Sequence, residues 1–304
     1  MSLSSIAERL ARYSPTGHPI ARRARAGEVF PREIAAGTPA PDALAAAGAS
    51  DRVVAFVRAA TPSDLPAVLD SLASALGRAD DRARGLRDAW LYPFSLAIAA
   101  GMLAGVVLTF IRPRLQAGVD AAHGPAVSPS LPLLPVVLAI LTAVALLLWL
   151  AAALRSDSAR APFAEAKRRA QRAVVLAAAD AASSGGVPLP ASLRAAAVLV
   201  PAGEVSSASI EVAGALERGE PEALASAAVL FGAIGGAVFA TAARAGAGTA
   251  VLGALARIAE DDAAAMAPFD VMQAELYSLL LAGLAVAAGG AAVISCYSGA
   301  FRLP

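Results

Sequence analysis

Charge is scarce in this chain of 304 residues. Lys, Arg, Asp and Glu make up 16% of it, against about 25% in an average soluble domain. The net charge is +1 and no long run of one sign occurs, so composition gives no case for nucleic acid as a partner. A single cysteine, Cys296, excludes an intramolecular disulfide. The two histidines, His18 and His123, stand far apart and offer no basis for a His-based metal site. The first thirty residues lack the apolar core of a signal peptide and carry Glu8, Arg9, Arg12, Arg22, Arg23, Arg25 and Glu28 instead. No phosphate loop is present: Gly185-Gly186 and Gly235-Gly236 lack the Gly-Lys-Ser/Thr ending and read as helix breaks or close-packing sites. No catalytic constellation is legible, which implies no enzyme activity and no cofactor.

Apolar residues are what the chain has in excess, at 58%. Much of that is alanine, which favours helix and makes poor sheet. Three runs carry no formal charge: 90–111, 131–154 and 276–297. At about 1.5 Å of rise per residue, roughly 20 apolar residues span a bilayer's hydrocarbon core, so each run is a candidate membrane helix. Pro93 sits in the first turns of the first run, Pro132 and Pro135 open the second, and Trp149 lies near its far end. Gly283, Gly289 and Gly290 in the third run suit close helix packing in lipid. The runs hold no ionisable side chain other than tyrosine and Cys296, which argues against a pump or proton relay.

The rest of the chain is polar. Residues 1–89 hold 12 Lys/Arg and 10 Asp/Glu; residues 155–275 hold 10 and 13. Short helices are expected over 3–13, 42–46 and 51–59. A stripe of Leu65, Val68, Leu69, Leu72 and Leu76 then leads into the first run. In the second polar segment SSGGVPLPASL (183–193) ends one helix and starts another. A further helix covers 205–218, and Val251, Leu252, Leu255 and Ile258 lead into the third run. Glu260-Asp261-Asp262 reads as a solvated face, because adjacent helical positions diverge around the axis. Four Lys/Arg precede the first run within about 20 residues and six follow the second, against two in 112–130 and one in the tail. Excess positive charge marks the cytoplasmic side, so both polar segments face the cytoplasm.

The two halves also repeat. AVLDSLA (67–73) and then Leu91-Tyr92 match AVLGALA (250–256) and then Leu276-Tyr277, at offsets of 183 and 185. Ahead of each, GTPAPDAL (37–44) and GVPLPASL (186–193) share a Gly, a Pro two residues on and a Leu seven residues on. The expected fold is an all-α membrane protein with three transmembrane helices and two homologous cytoplasmic helical-bundle domains. Domain one is 1–89 and the first span 90–111. A periplasmic loop (112–130) and the second span (131–154) follow. Domain two is 155–275, the third span 276–297, and the periplasmic tail 298–304.

Leu86-Arg87-Asp88-Ala89 with Tyr92-Pro93, and Ser184 through Leu189 with Leu193, resemble motifs of the inner-membrane platform family of type II secretion and type IV pilus systems. The Ala67–Ala73 and Ala250–Ala256 helices and the Pro113 exit fit the same family. The resemblance implies a non-enzymatic scaffold in the bacterial inner membrane, with its N-terminus cytoplasmic and its C-terminus periplasmic. Implied partners are a cytoplasmic assembly ATPase, pilin or pseudopilin, other platform components, the lipid bilayer and further copies of the chain. Lys167, Arg168, Arg169 and Arg172 are candidate contacts for an acidic partner or lipid headgroups, or serve membrane orientation alone. Tyr92, Pro93, Gly186, Pro188, Gly289 and Gly290 are candidate helix-turn or packing positions. Two departures stand out. The family's Gly-Glu-x-Ser-Gly reads Ala59-Ala60-Thr61-Pro62-Ser63-Asp64 and Ala243-Arg244-Ala245-Gly246 here, without glutamate in either place. The first domain also lacks a clear first helical hairpin of the family type. The competing expectation is a small oligomeric permease or a permease subunit.

Overall fold

The computed structural model describes residues 19–106, 110, 113, 114, 117, 164–220 and 227–301. The expected helix 3–13, both histidines and the run 131–154 lie outside them, as does most of 112–130. Among the described residues the chain is all-helical, with no strand. Nine helices follow in order: α1 (Pro19–Ala35), α2 (Ala40–Ala46), α3 (Asp51–Ala60), α4 (Leu65–Val106), α5 (Ala164–Ser184), α6 (Leu189–Ala197), α7 (Glu204–Arg218), α8 (Ala227–Arg244) and α9 (Gly248–Phe301). Two compact units result. Among the described residues the first takes 19–83 and 164–267; the second begins at Arg84 in α4 and at Pro268 in α9.

Both polar segments contribute to the first unit's core. Its largest fully buried side chains are Phe30, Leu44, Phe56, Leu69 and Leu72 from one segment and Leu176, Leu193, Leu230, Phe239 and Leu252 from the other. Each contributes about 1.5–3 kcal/mol of transfer free energy. Two serines enter this core with their hydroxyls satisfied. Ser192 Oγ donates to the carbonyls of Val187 and Pro188, and Ser209 Oγ donates to Leu193 O at 2.8 Å.

The repeat is backbone-deep. At the end of α1 the amides of Ala36, Gly37 and Thr38 donate to the carbonyls of Arg32, Ile34 and Glu33; at the end of α5 those of Gly185, Gly186 and Val187 donate to Ala181, Ser183 and Ala182. Every one of these six residues pairs with its counterpart at an offset of 149. Gly37 and Gly186 take φ +82° and +86°, the left-handed C-cap that glycine accepts without a β-carbon clash. Pro39 and Pro188 then take φ −55° with ψ 140° and 139° to open α2 and α6. Residues 37–44 and 186–193 therefore form the same helical turn, as their shared spacing predicts. Further along, Val68, Leu69, Leu72 and Ala73 are buried, as are Leu252, Leu255 and Ala256 at an offset of 183.

Several expectations need correction. Helix α1 was not anticipated, because its charges and internal Pro31 obscure its periodicity. Helix α2 begins at Ala40 with Pro39 as its cap, two residues before Asp42. Ile258 is 61% exposed, and Ala259 packs against the core in its place.

Helix α8 falls in a stretch that was expected to be polar. It is the one helix among the described residues long and apolar enough to cross a membrane by length and composition. However, Gly232 breaks it with φ +79° and ψ 165°. The unbroken part, 233–244, is about 18 Å long, against about 30 Å of hydrocarbon. Its first turn folds back: Phe231 stacks on Phe239 with ring centroids 4.3 Å apart. A β-carbon on Gly236 would come within 3.1 Å of the Ala227 and Ala228 backbone.

In the second unit, Met102, Val106 and Phe110 on one side and Phe269, Met272, Leu276, Tyr277, Leu279 and Leu280 on the other are exposed, Leu280 at 62%.

Two backbone positions predict opposite responses. Gly37→Ala places a β-carbon at φ +82° with open space around it, so we expect a pure conformational loss of about 1 kcal/mol. Thr61 caps α3 at φ +39°, a costly geometry for a β-branched residue, and Thr61→Asn should raise stability. Chemical denaturation reads both; equal signs would contradict the assignment.

Candidate functional site: one turn that seats two helices

The turn between α5 and α6 receives the start of both long helices. On one side lies the approach to α4. The amide of Ser63 donates to Gly185 O at 3.0 Å, and Ser63 Oγ donates to the same carbonyl at 2.5 Å. A β-carbon on Gly185 would stand 2.8 Å from Val68 Cγ2 and 3.3 Å from Pro62 Cβ. Only glycine lets the chains approach this closely. On the other side, a β-carbon on Gly248, the first residue of α9, would meet Leu189 Cδ2 at 3.0 Å. Thus α4 and α9 begin within a few residues of the same turn.

They meet again further on. Arg78 and Arg82, one turn apart on α4, converge on Glu260 of α9. Arg78 forks both carboxylate oxygens, with Nη2 at 2.7 Å from Oε2. Arg82 Nη2 lies 3.6 Å from Oε1 and 3.5 Å from the Glu260 carbonyl. These contacts fall 13 and 17 residues into α4 and 12 residues into α9. Two helices that start at one turn and touch at equal depth run in the same direction.

Of the positions singled out from sequence, Gly186 and Pro188 lie in this seat. Lys167, Arg168, Arg169 and Arg172 lie together in the first turns of α5, and all are engaged within the chain. Arg168 pairs with Glu165 at 2.9 Å and with Glu204 of α7 at 2.7 Å. Arg172 reaches Glu165 at 3.6 Å, and Lys167 and Arg169 also have partners. The hydrogen bond that Arg168 donates to the Glu204 carboxylate raises the guanidinium pKa above its ordinary value. Tyr92 and Pro93 fall within the helical backbone of α4, and Gly289 and Gly290 within that of α9. Among the described residues, a β-carbon on Gly283 or Gly290 would meet nothing within 4 Å.

Sequence reasoning missed Ser63 and misread Glu260. The solvated-face reading holds for Asp261 and Asp262, both exposed, but Glu260 is taken up by two arginines. The missing signal was tertiary, since the partners are about 180 residues away.

Asp180 lies behind the seat on α5. A β-carbon on Gly253 would stand 2.9 Å from its Oδ1. Burial pushes the Asp180 carboxyl above the ordinary 3.8, and the nearby Arg257 opposes this. A raised native pKa means that ionisation works against folding. This group's stabilising share is full below the unfolded carboxylate range and lost as pH rises through the raised value. Asp180→Asn should therefore stabilise the chain at pH 7, with the gain vanishing below about pH 4. A gain that persists at pH 3 would contradict this. Gly185→Ala should cost about 1–3 kcal/mol by overpacking, and Val68→Ala in the same chain should recover part of it. Additive losses in denaturant melts would contradict the close approach. No protein-family model, curated protein or solved structure matches the chain, so the role of the seat is argued from its own geometry.

Proposed function

We propose that the chain is a non-enzymatic membrane scaffold: a three-span platform protein of a type II secretion or type IV pilus-like machine. The observation that carries this reading is the shared seat. Two helices that begin at one turn and run in parallel become apolar at equivalent depth, one towards Val106 and the other beyond Leu276. If both cross a bilayer, they cross in the same direction, and the chain between them must return. The uncharged run 131–154 supplies that return. The arginines that precede 90–111 and follow 131–154 put both polar segments on the cytoplasmic side. The exposed apolar side chains of the second unit gain about 25 cal/mol per Å² on entering lipid.

A scaffold of this build transmits displacement. A push on the shared core by a cytoplasmic ATPase reaches both membrane helices through the same turn, and the spans pass it to pilin-like helices in the bilayer. Repeated copies around an axis would multiply the effect. The missing acidic motifs ahead of both helices are replaced by other joints. Ser63 holds the first approach, and the left-handed Gly246 turn, φ +72°, leads into the second.

A tagged full-length chain purified from its native membrane should bring down a secretion ATPase and a prepilin-like protein, and deletion should abolish secretion or piliation. Recovery of neither partner, with secretion and piliation intact in the deletion strain, would sink this reading. Solute flux through reconstituted vesicles would favour a permease instead.

A further inference from the structure

We propose that Arg78, Arg82 and Glu260 form a register pin that fixes how far α4 and α9 can slide past one another. Between the seat and this cluster, the side chains that both helices turn to the common core are mostly small. On α4 they are Leu72, Ala73, Ala75, Leu76 and Ala79; on α9 they are Leu255, Ala256 and Ala259. Helices pack by fitting ridges into grooves, and alanine ridges are shallow, so neighbouring registers differ little in packing. An ion pair does not share that tolerance. Arg82 and Glu260 retain only 16% and 23% of their side-chain exposure, so a one-turn slip would leave a largely buried carboxylate without its fork.

The cluster is graded in burial: Arg78 forks the carboxylate from the rim, its side chain 48% exposed, while Arg82 and Glu260 lie deeper. Arg78 meets both carboxylate oxygens, which fixes direction as well as distance. Arg82 adds its charge at longer range, 3.6 Å from the same carboxylate and 3.5 Å from the Glu260 main-chain carbonyl. Arg78 and Arg82 are four residues apart and share one face of α4. The adjacent Asp261 and Asp262 point to solvent. Replacing an ion cluster that is even partly withdrawn from water by apolar groups commonly leaves stability unchanged or raises it, and fixing register is the best-attested use of such clusters. The pin follows from contacts inside the first unit and stands whether or not the platform reading does.

Spin labels at the exposed positions Ala83 and Ala264, with Cys296→Ser, report the α4–α9 register in the detergent-purified full chain by pulsed dipolar distances. The unaltered cluster should give one narrow distance. Arg78→Met/Arg82→Met/Glu260→Leu should melt at or above the parent temperature. Its distances should nevertheless broaden or split, with a second population displaced by about one helical turn, near 5 Å. The isosteric Glu260→Gln should broaden them too. A single narrow peak retained in both variants would overturn the proposal, as would a triple variant that keeps that peak while melting lower, since the cluster would then serve stability alone.

Discussion

The two repeats of the first unit are tied together at one carbonyl. Gly185 O accepts both the amide and the hydroxyl of Ser63, 122 residues earlier in the chain. That pair of hydrogen bonds places the first repeat's outgoing helix against the second repeat's turn. Each bond is worth about 0.5–1.5 kcal/mol net, small beside the buried leucines around it. The bonds matter because they are directional where the leucines are not. Apolar burial brings the two segments together, and the Ser63 clasp decides where α4 begins relative to the turn between α5 and α6.

The glycine content of the seat follows from that constraint. Gly186 must take a left-handed conformation to end α5, and Gly185 must lack a side chain to admit Val68 and Pro62. Gly37 repeats the conformation without the close approach, since nothing lies within 4 Å of the place where its β-carbon would be. The two repeats thus share a backbone turn but not its use. Only the second repeat's turn has become a seat, which is why Gly-Gly stands there and Ala-Gly stands at 36–37.

Much of the helical pattern was legible because it is local. The breaks at Thr61-Pro62-Ser63 and at Gly219, the stripe from Leu65 to Leu76 and the helix running on from it all follow from period and punctuation. The paired turns at 37 and 186 were visible as spacing before they were visible as φ angles. What stayed hidden was tertiary. Glu260 looks like part of an acidic surface until Arg78 and Arg82 are placed beside it, and Ser63 looks like a loop residue until Gly185 arrives. Helix α8 was hidden for a different reason. Its Ala/Gly composition carries little periodic contrast, and its kink at Gly232 interrupts what contrast there is.

The central claim is that α4 and α9 leave a common seat and enter a membrane in the same direction. Single cysteines at Ala83, Ala264 and Ala121, each with Cys296→Ser, test it by labelling with a membrane-impermeant maleimide in spheroplasts. The account requires Ala83 and Ala264 to stay unlabelled until the membrane is disrupted, and Ala121 to label in intact spheroplasts. Labelling that separates Ala83 from Ala264, or that leaves Ala121 on their side, would contradict it.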